Sequence, residues 1–260
     1  MKILLCNDDG VYAPGINILA EHLKEVGDVV IIAPHRERST AGHSLTLHKP
    51  LRINEIAEKK YAISGTPADC IWLGIRQVLK NELPDIVFSG INSGPNLGYD
   101  TYYSGTVAAA REACLLGVPA IAMSLAVAGE VKDAHFETPA KFAIKLVRQM
   151  VDHSKKVGVP LNDIFPPGVF LNVNSPDLPE SEIKGVKVAR MGHRVYSDQI
   201  SEKVDPRGKK YYWLGGGYEG YKDIAGSDCK IIDESMIAVT PLKVDATEPA
   251  FYETLLSWNL

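Results

Sequence analysis

The chain begins its chemistry with two adjacent carboxylates. Asn7-Asp8-Asp9-Gly10 follows directly on the apolar run from Ile3 to Cys6. Negative charge concentrated in this way calls for a hard cation with oxygen ligands. In open α/β sheets, ligands sit beyond the carboxyl ends of strands. Neighbouring side chains on a regular strand point to opposite faces, so Asp8 and Asp9 reach one ion only if the chain leaves strand geometry. Gly10 permits that departure. The same four residues also suit an ordinary turn, and the local pattern leaves both readings open.

Two further clusters carry polar groups of interest. His35 to Ser44 contains Arg36, Arg38 and His43, which suit a phosphate, and Ser39, whose hydroxyl is a neutral oxygen ligand. A solvated charged loop with capping serines explains the same segment. The stretch from Ser89 to Thr106 spaces Gly90, Gly94 and Gly98 by four, which allows an irregular loop to fold tightly. At its end, Ser104 or Thr106 can cap a following helix, whose unpaired N–H groups make an anion site. No Gly-Lys-Ser/Thr follows the glycines and G-x-G-x-x-G is absent, so neither a P-loop nor a dinucleotide fingerprint is present. Tyr102 and Tyr103 are candidates for stacking on a base, and packing at an interface explains them equally.

These clusters need a scaffold, and the first half of the chain supplies one. Apolar runs alternate with helical patterns, which predicts a parallel sheet covered by helices. Strands are expected at Ile3–Cys6, Val29–Ala33, Ala62–Ser64, Ile86–Phe88, Val118–Ser124 and Val169–Val173. Helices are expected from Pro14, with Ile16, Leu19, Ala20 and Leu23 facing the core and Gly27 as a left-handed cap. Others are expected from Pro67, over Thr106–Leu116 and over Thr138–Val151. The sum is a doubly wound, Rossmann-like α/β fold with a mostly parallel sheet and helices on both faces. Within a single domain, 1–180 reads as the catalytic core and 181–260 as an appendage. There, Val186–Tyr196 and Lys210–Leu214 read as a long projecting β-hairpin arm, followed by a strand at Ile237–Thr240 and a helix over Thr247–Trp258. An arm of this kind needs cover for its edges, from its own domain or from a second copy, and the second reading is preferred.

Bulk properties narrow the partners. A net charge of −4 without a basic tail does not suit a nucleic-acid backbone, so no stable nucleic-acid partner is expected. No apolar run approaches the ~20 residues of a membrane span. The start is too short in apolar residues for a signal peptide. Cys6, Cys70, Cys114 and Cys229 are scattered without a C-x-x-C pair, as in a reduced cytoplasmic protein.

Four segments, in this order, resemble the SurE survival-protein family: ILLCNDDGVYAPGI, APHRERSTAGHSLTL, SGTPADC and SGINSGPNLGYDTYYSGTVAAAREA. The resemblance is dense over roughly the first 125 residues. It implies that Asp8, Asp9, Ser39 and Asn92 hold one divalent ion per subunit, Mg²⁺ or Mn²⁺. It also implies that Asn96, Ser104, Gly105 and Thr106 line a phosphate pocket, and that nucleoside 5′- and 3′-monophosphates, and in some members polyphosphate, are hydrolysed. It further implies a homodimer or homotetramer formed by exchanging the hairpin and the C-terminal segments. An all-oxygen ligand set of this kind suits Mg²⁺ or Mn²⁺ better than zinc, which prefers His and Cys. Asp8 and Asp9 are the expected catalytic pair, with Asp9 as the preferred proton acceptor, while His43 and Arg38 are loop groups without a fixed role. Two other readings compete. One is an aspartyl-phosphate enzyme with Asp8 as nucleophile, although the D-x-D-x-T arrangement is absent. The other is a non-catalytic nucleotide-binding regulator, which the fold alone does not separate from an enzyme.

Overall fold

The computed structural model describes residues 1–80, 82–127 and 131–258. From the N-terminus, β1 (Lys2–Cys6) leads through α1 (Pro14–Leu23) to β2 (Asp28–Pro34). The pair β3 (Ile53–Ala57) and β4 (Lys60–Ile63) follows, then α2 (Pro67–Leu73), prolonged by a π turn at Gly74–Val78. Next come β5 (Ile86–Ser93), a 3₁₀ turn at Gly98–Tyr102, α3 (Gly105–Leu115), β6 (Ala120–Ala126), α4 (Glu137–Val157) and β7 (Val169–Pro176). The last third holds β8 (Val186–Val188), β9 (Arg194–Tyr196), β10 (Ile200–Val204), β11 (Lys210–Leu214) and β12 (Tyr218–Tyr221). It ends with α5 (Asp228–Asp233), β13 (Ile237–Lys243) and α6 (Pro249–Leu256).

Nine of these strands form one sheet in the order β3-β4-β2-β1-β5-β6-β7-β13-β8. Neighbours run parallel except at β3–β4 and β7–β13. The expected doubly wound α/β architecture is therefore present. Its inner strands are apolar on both sides, as burial under two helical layers requires. Along β1, Ile3 and Leu5 enter one core while Leu4 and Cys6 enter the other. The strand period of two sorts β5 in the same way, with Ile86 and Phe88 on one face and Val87 on its opposite. α1 and α4 cover the first face, where Ile16, Leu19 and Leu23 are fully buried. Each such side chain contributes about 1.5–3 kcal/mol by leaving water. α2 and α3 cover the second face. β1 has β2 on one side and β5 on the other, so the winding reverses between β1 and β5. At such a reversal the strand ends part and leave a crevice.

Several local expectations change. Gly27 is not a left-handed cap, since α1 ends at Lys24 in right-handed geometry. A Cβ on Gly27 would lie 2.7 Å from the Met1 carbonyl oxygen, so close passage beside the start of β1 is what requires glycine there. β3 escaped the sequence reading because it is a largely exposed outer strand, whose pairing with β4 defines it more than any apolar alternation. The arm is also redrawn, because Val186–Tyr196 is not one continuous strand. β8 joins the main sheet beside β13, β9 pairs with β12 in a separate ribbon, and the hairpin itself is β10 with β11. At the hairpin tip, the Asp205 carboxylate accepts from the N–H groups of Arg207 and Lys209 at 2.8 and 2.9 Å, which explains why the charged Asp-Pro-Arg-Gly segment turns where it does. The main sheet thus takes strands from both sides of residue 180. Among the described residues, no helix is long and apolar enough to cross a membrane.

Candidate active site

The cleft opens beyond the carboxyl ends of β1 and β5. Asn7 is fully buried and closes the turn that follows β1. Its side-chain amide donates to the Gly10 carbonyl at 2.9 Å, and its oxygen accepts from the Gly10 N–H at 3.2 Å. β1 ends at Cys6, Asp8 and Asp9 lie in the bend that follows, and Gly10 at φ +103° completes the turn. Both aspartates then line one cleft of about 560 Å³ together with Ser39, Asn92, Asn96 and Ser104.

Asp8 is buried against the start of α3. The Thr106 hydroxyl donates to its carboxylate, and a Cβ on Gly105 would lie only 2.8 Å from the Asp8 Cβ. Glycine at 105 is therefore what lets helix and carboxylate meet. Burial pushes the Asp8 carboxyl above its ordinary value, opposed by the Thr106 hydroxyl and by the backbone N–H groups of Thr106 and Gly105. Asp9 accepts from the Ser93 N–H at 3.0 Å. Burial first, then the charges of Asp8 and Glu37, raise it to about 6. Both shifts share one physical origin: two carboxylates are held in a dry place with too little positive charge around them.

The Asn92 amide donates to the Gly94 carbonyl at 2.7 Å, which turns its oxygen towards Thr106 at 3.4 Å and hence towards Asp8. The Ser39 hydroxyl donates to Glu37 at the cleft rim. The loop bearing Ser39 is strapped to the turn after β1, because the Arg38 N–H donates to the Asp8 carbonyl at 2.7 Å. Asn96 is buried in a polar knot. Its side-chain amide donates to Ser124 at 2.8 Å, and its carbonyl accepts from Asn172 and Asn174 at 2.8 and 3.1 Å. The Ser104 oxygen caps α3 by accepting from the Val107 N–H at 3.1 Å, which leaves its proton free for an acceptor in the cleft.

The two loop groups are placed elsewhere. The Arg38 side chain reaches back to the Ser64 carbonyl at 3.5 Å. His43 meets the buried Glu112 of α3 at 2.5 Å, fastening the loop to the helix. Neither lines the cleft. Tyr103 does, whereas the ring of Tyr102 lies 6.0 Å from the Arg111 guanidinium, outside it.

The donor set fits a hard divalent cation. Among the described residues no three His, Cys, Asp or Glu side chains converge as a metal cluster. Asp8 and Asp9 are complemented instead by the neutral oxygens of Asn92 and Ser39, a set that suits an oxygen-seeking ion.

A family model described as "Survival protein SurE" matches residues 3–198. The chain belongs to the SurE family. A 5′-nucleotidase SurE from Geobacter sulfurreducens is 49% identical over all of this chain and 94% of its own length. Another, from Geotalea daltonii, is 48% identical with full coverage of both chains. The crystal structure of the SurE protein from Aquifex aeolicus superposes with a TM-score of 0.85 at 41% identity, again over the whole of both chains.

In this SurE chain part of the cleft wall comes from residues that the sequence reading did not single out. Asp100, Arg194 and Tyr196 line it. The Arg194 guanidinium donates to Asp100 at 2.7 Å, and the Tyr196 hydroxyl donates to the same carboxylate. The available signal was slight: Arg194 and Tyr196 stand two apart on one strand and share a face. Assigning them to a projecting arm hid their proximity to the site.

Proposed function

We propose that this protein is a divalent-metal-dependent 5′-nucleotidase, also acting on 3′-monophosphates, that releases phosphate by attack of water. The observation that carries the reading is that Asp8, Asp9, Asn92 and Ser39 line one cleft, with the Thr106 hydroxyl of α3 bonded to Asp8 and facing the Asn92 oxygen. Four full-length relatives at 44–49% identity carry the name 5′-nucleotidase SurE, which supports the substrate class. Asp8, Asp9, Asn92 and Ser39 would hold one Mg²⁺ or Mn²⁺ ion. When bound, that ion supplies charge to polarise a phosphoryl oxygen and to acidify water. Asp9, with one oxygen fixed by the Ser93 N–H, is oriented towards the cleft and takes the proton of the attacking water. Ser104 and Asn96 hold phosphoryl oxygens, with Gly105 and Thr106 forming the helix start beside them and keeping Asp8 in place. His43 and Arg38 act at one remove, by fastening the loop that carries Ser39.

The arm and the terminal helix favour a homodimer or homotetramer. Tyr212, Trp213 and Leu214 on β11, and Phe251, Leu256 and Trp258 at the C-terminus, are exposed apolar side chains of the type found at interfaces. The four free cysteines, three of them buried, accord with a reducing cytoplasm.

The test is phosphate release from a panel of nucleoside monophosphates after chelation, with Mg²⁺, Mn²⁺ or Zn²⁺ then restored. 3′-Monophosphates and polyphosphate present a terminal phosphate of the same kind and belong in the same panel. Release that returns with Mg²⁺ or Mn²⁺ and is lost in Asp9→Asn is the expected outcome. A folded protein that binds nucleotide with Mn²⁺ yet releases no phosphate would make it a binding module instead.

A further inference from the structure

The cleft wall mixes two chemistries: the oxygen donors Asp8, Asp9 and Asn92, and the aromatic rings of Tyr103 and Tyr196. Arg194 is the only basic residue among the described residues that line the cleft, and a terminal nitrogen of its guanidinium is already paired, although its buried Nε is not. It pairs with Asp100 at 2.7 Å, and its guanidinium lies 4.3 Å from the ring centroid of Tyr218 and 5.2 Å from that of Tyr196. An arginine paired and stacked in this way is a clamp rather than a free phosphate hook. What it clamps is the Tyr196 ring, whose hydroxyl is tied to the same Asp100. The 3₁₀ turn that carries Asp100 also holds Tyr99 and leads directly into Tyr103 and Ser104. Tyr196, Tyr99 and Tyr103 remain 41%, 54% and 70% exposed, so ring surface stays open to whatever enters the cleft.

We infer that Tyr103 and Tyr196, the latter held by the Asp100–Arg194 pair, form the wall that receives the nucleoside end of the substrate by stacking on its base. The inference rests on the phosphomonoesterase reading of the same cleft. The volume of about 560 Å³ leaves room beyond a phosphate for a sugar and a base. Stacking on tyrosine is indifferent to base identity, because every base has a π-face. The wall therefore discriminates little among bases but strongly between nucleosidic and non-nucleosidic esters. Arg194 and Asp100 are positioning residues in this arrangement, since they act through Tyr196.

Steady-state kinetics at saturating metal, with AMP and glycerol 2-phosphate as paired substrates, tests this. In Tyr196→Ala and Tyr103→Ala, the ratio of kcat/KM for AMP to that for glycerol 2-phosphate falls about tenfold, carried by KM, in line with the loss of one base–aromatic stack. Tyr196→Phe, which keeps the ring, retains most of that ratio. Asp100→Asn, which loosens the clamp, gives an intermediate fall. An unchanged ratio in both alanine variants, whether activity is lost on the two substrates together or on neither, overturns the inference. If the wild-type protein hydrolyses neither ester, the phosphatase reading fails by itself. Equilibrium binding of adenosine, which carries no phosphate, then decides the wall: weakened binding in Tyr196→Ala supports it, and equal binding overturns it.

Discussion

Replacing Asp9 by asparagine is expected to stabilise the metal-free protein while abolishing its activity. The Asp9 carboxyl is raised from 3.8 to about 6, so the folded chain holds that proton more tightly than the unfolded one. For an acid shifted upwards, the folded state is favoured at low pH, and stability is lost as pH rises from the unfolded value through the folded one. At pH 7.5 the full penalty applies, about 3 kcal/mol at about 1.4 kcal/mol per pH unit. At pH 5 the same linkage leaves only about half of it. Asparagine keeps an oxygen for the Ser93 N–H and carries no charge, so it removes the penalty with little change of shape. A chain of 260 residues unfolds with an entropy of about 0.5 kcal/mol per degree, which converts the gain to about 5 °C in Tm. The assay is thermal unfolding of chelated wild-type and Asp9→Asn protein at pH 5 and pH 7.5, with and without Mn²⁺. The variant should melt about 5 °C higher at pH 7.5, with roughly half that gap at pH 5. Mn²⁺ should raise the Tm of the wild type alone. A variant that melts at or below the wild-type temperature at both pH values would refute the reasoning, as would an equal response of the two proteins to Mn²⁺.

Gly105→Ala places a methyl group 2.8 Å from the Asp8 Cβ and should cost about 1–3 kcal/mol in stability, with activity falling far more than Tm measurements alone would suggest. Thr106→Val removes the hydroxyl donated to Asp8 and should raise the metal concentration needed for half-maximal activity, whereas Thr106→Ser should restore it, as metal titrations would show. Asp228→Ala strands the N–H groups of Gly98, Gly192 and Cys229, each now bonded to that carboxylate at 2.8 Å, and should cost at least about 3 kcal/mol by denaturant unfolding. Trp213→Asp on the arm should leave the folded core intact and shift the protein to a smaller assembly in light scattering, because an exposed indole becomes a charge in a proposed contact.

The parts of the fold visible in sequence were those whose burial wrote a pattern. Ile3 to Cys6 and Val118 to Ser124 are continuous apolar runs because helices cover both faces of the sheet. Ile16, Leu19 and Leu23 show the helical period because only one side of α1 faces a core. β3 wrote no such pattern, since four of its five residues are exposed. The break of Val186–Tyr196 into β8 and β9 was hidden for a different reason. Local composition favoured extended chain throughout, and only the partners, β13 for one strand and β12 for the other, determine where it divides. At the site, Asp8, Asp9 and Asn92 stood out because charge and glycine cluster beside them. Asp100, Arg194 and Tyr196 did not, because their meeting spans 94 and 96 positions of sequence. Asn172 and Asn174 read as strand residues, and their role in holding Asn96 appears only once β7 lies beside β6.

The placement of β13 also constrains how the protein comes into being. β7 gains its outer neighbour only when Ile237–Lys243 arrives antiparallel beside it, and β8 can attach only to β13. During synthesis the ribosome must add the residues from Pro176 to Lys243 before that edge can close, an interval of about 3–13 s at ordinary elongation rates. Throughout that time a nearly finished sheet presents an open strand edge, the feature most prone to pairing with another nascent chain. Premature termination anywhere in this stretch would yield a sticky fragment rather than a smaller enzyme. The last quarter of the gene therefore carries the instruction that makes the product safe to release.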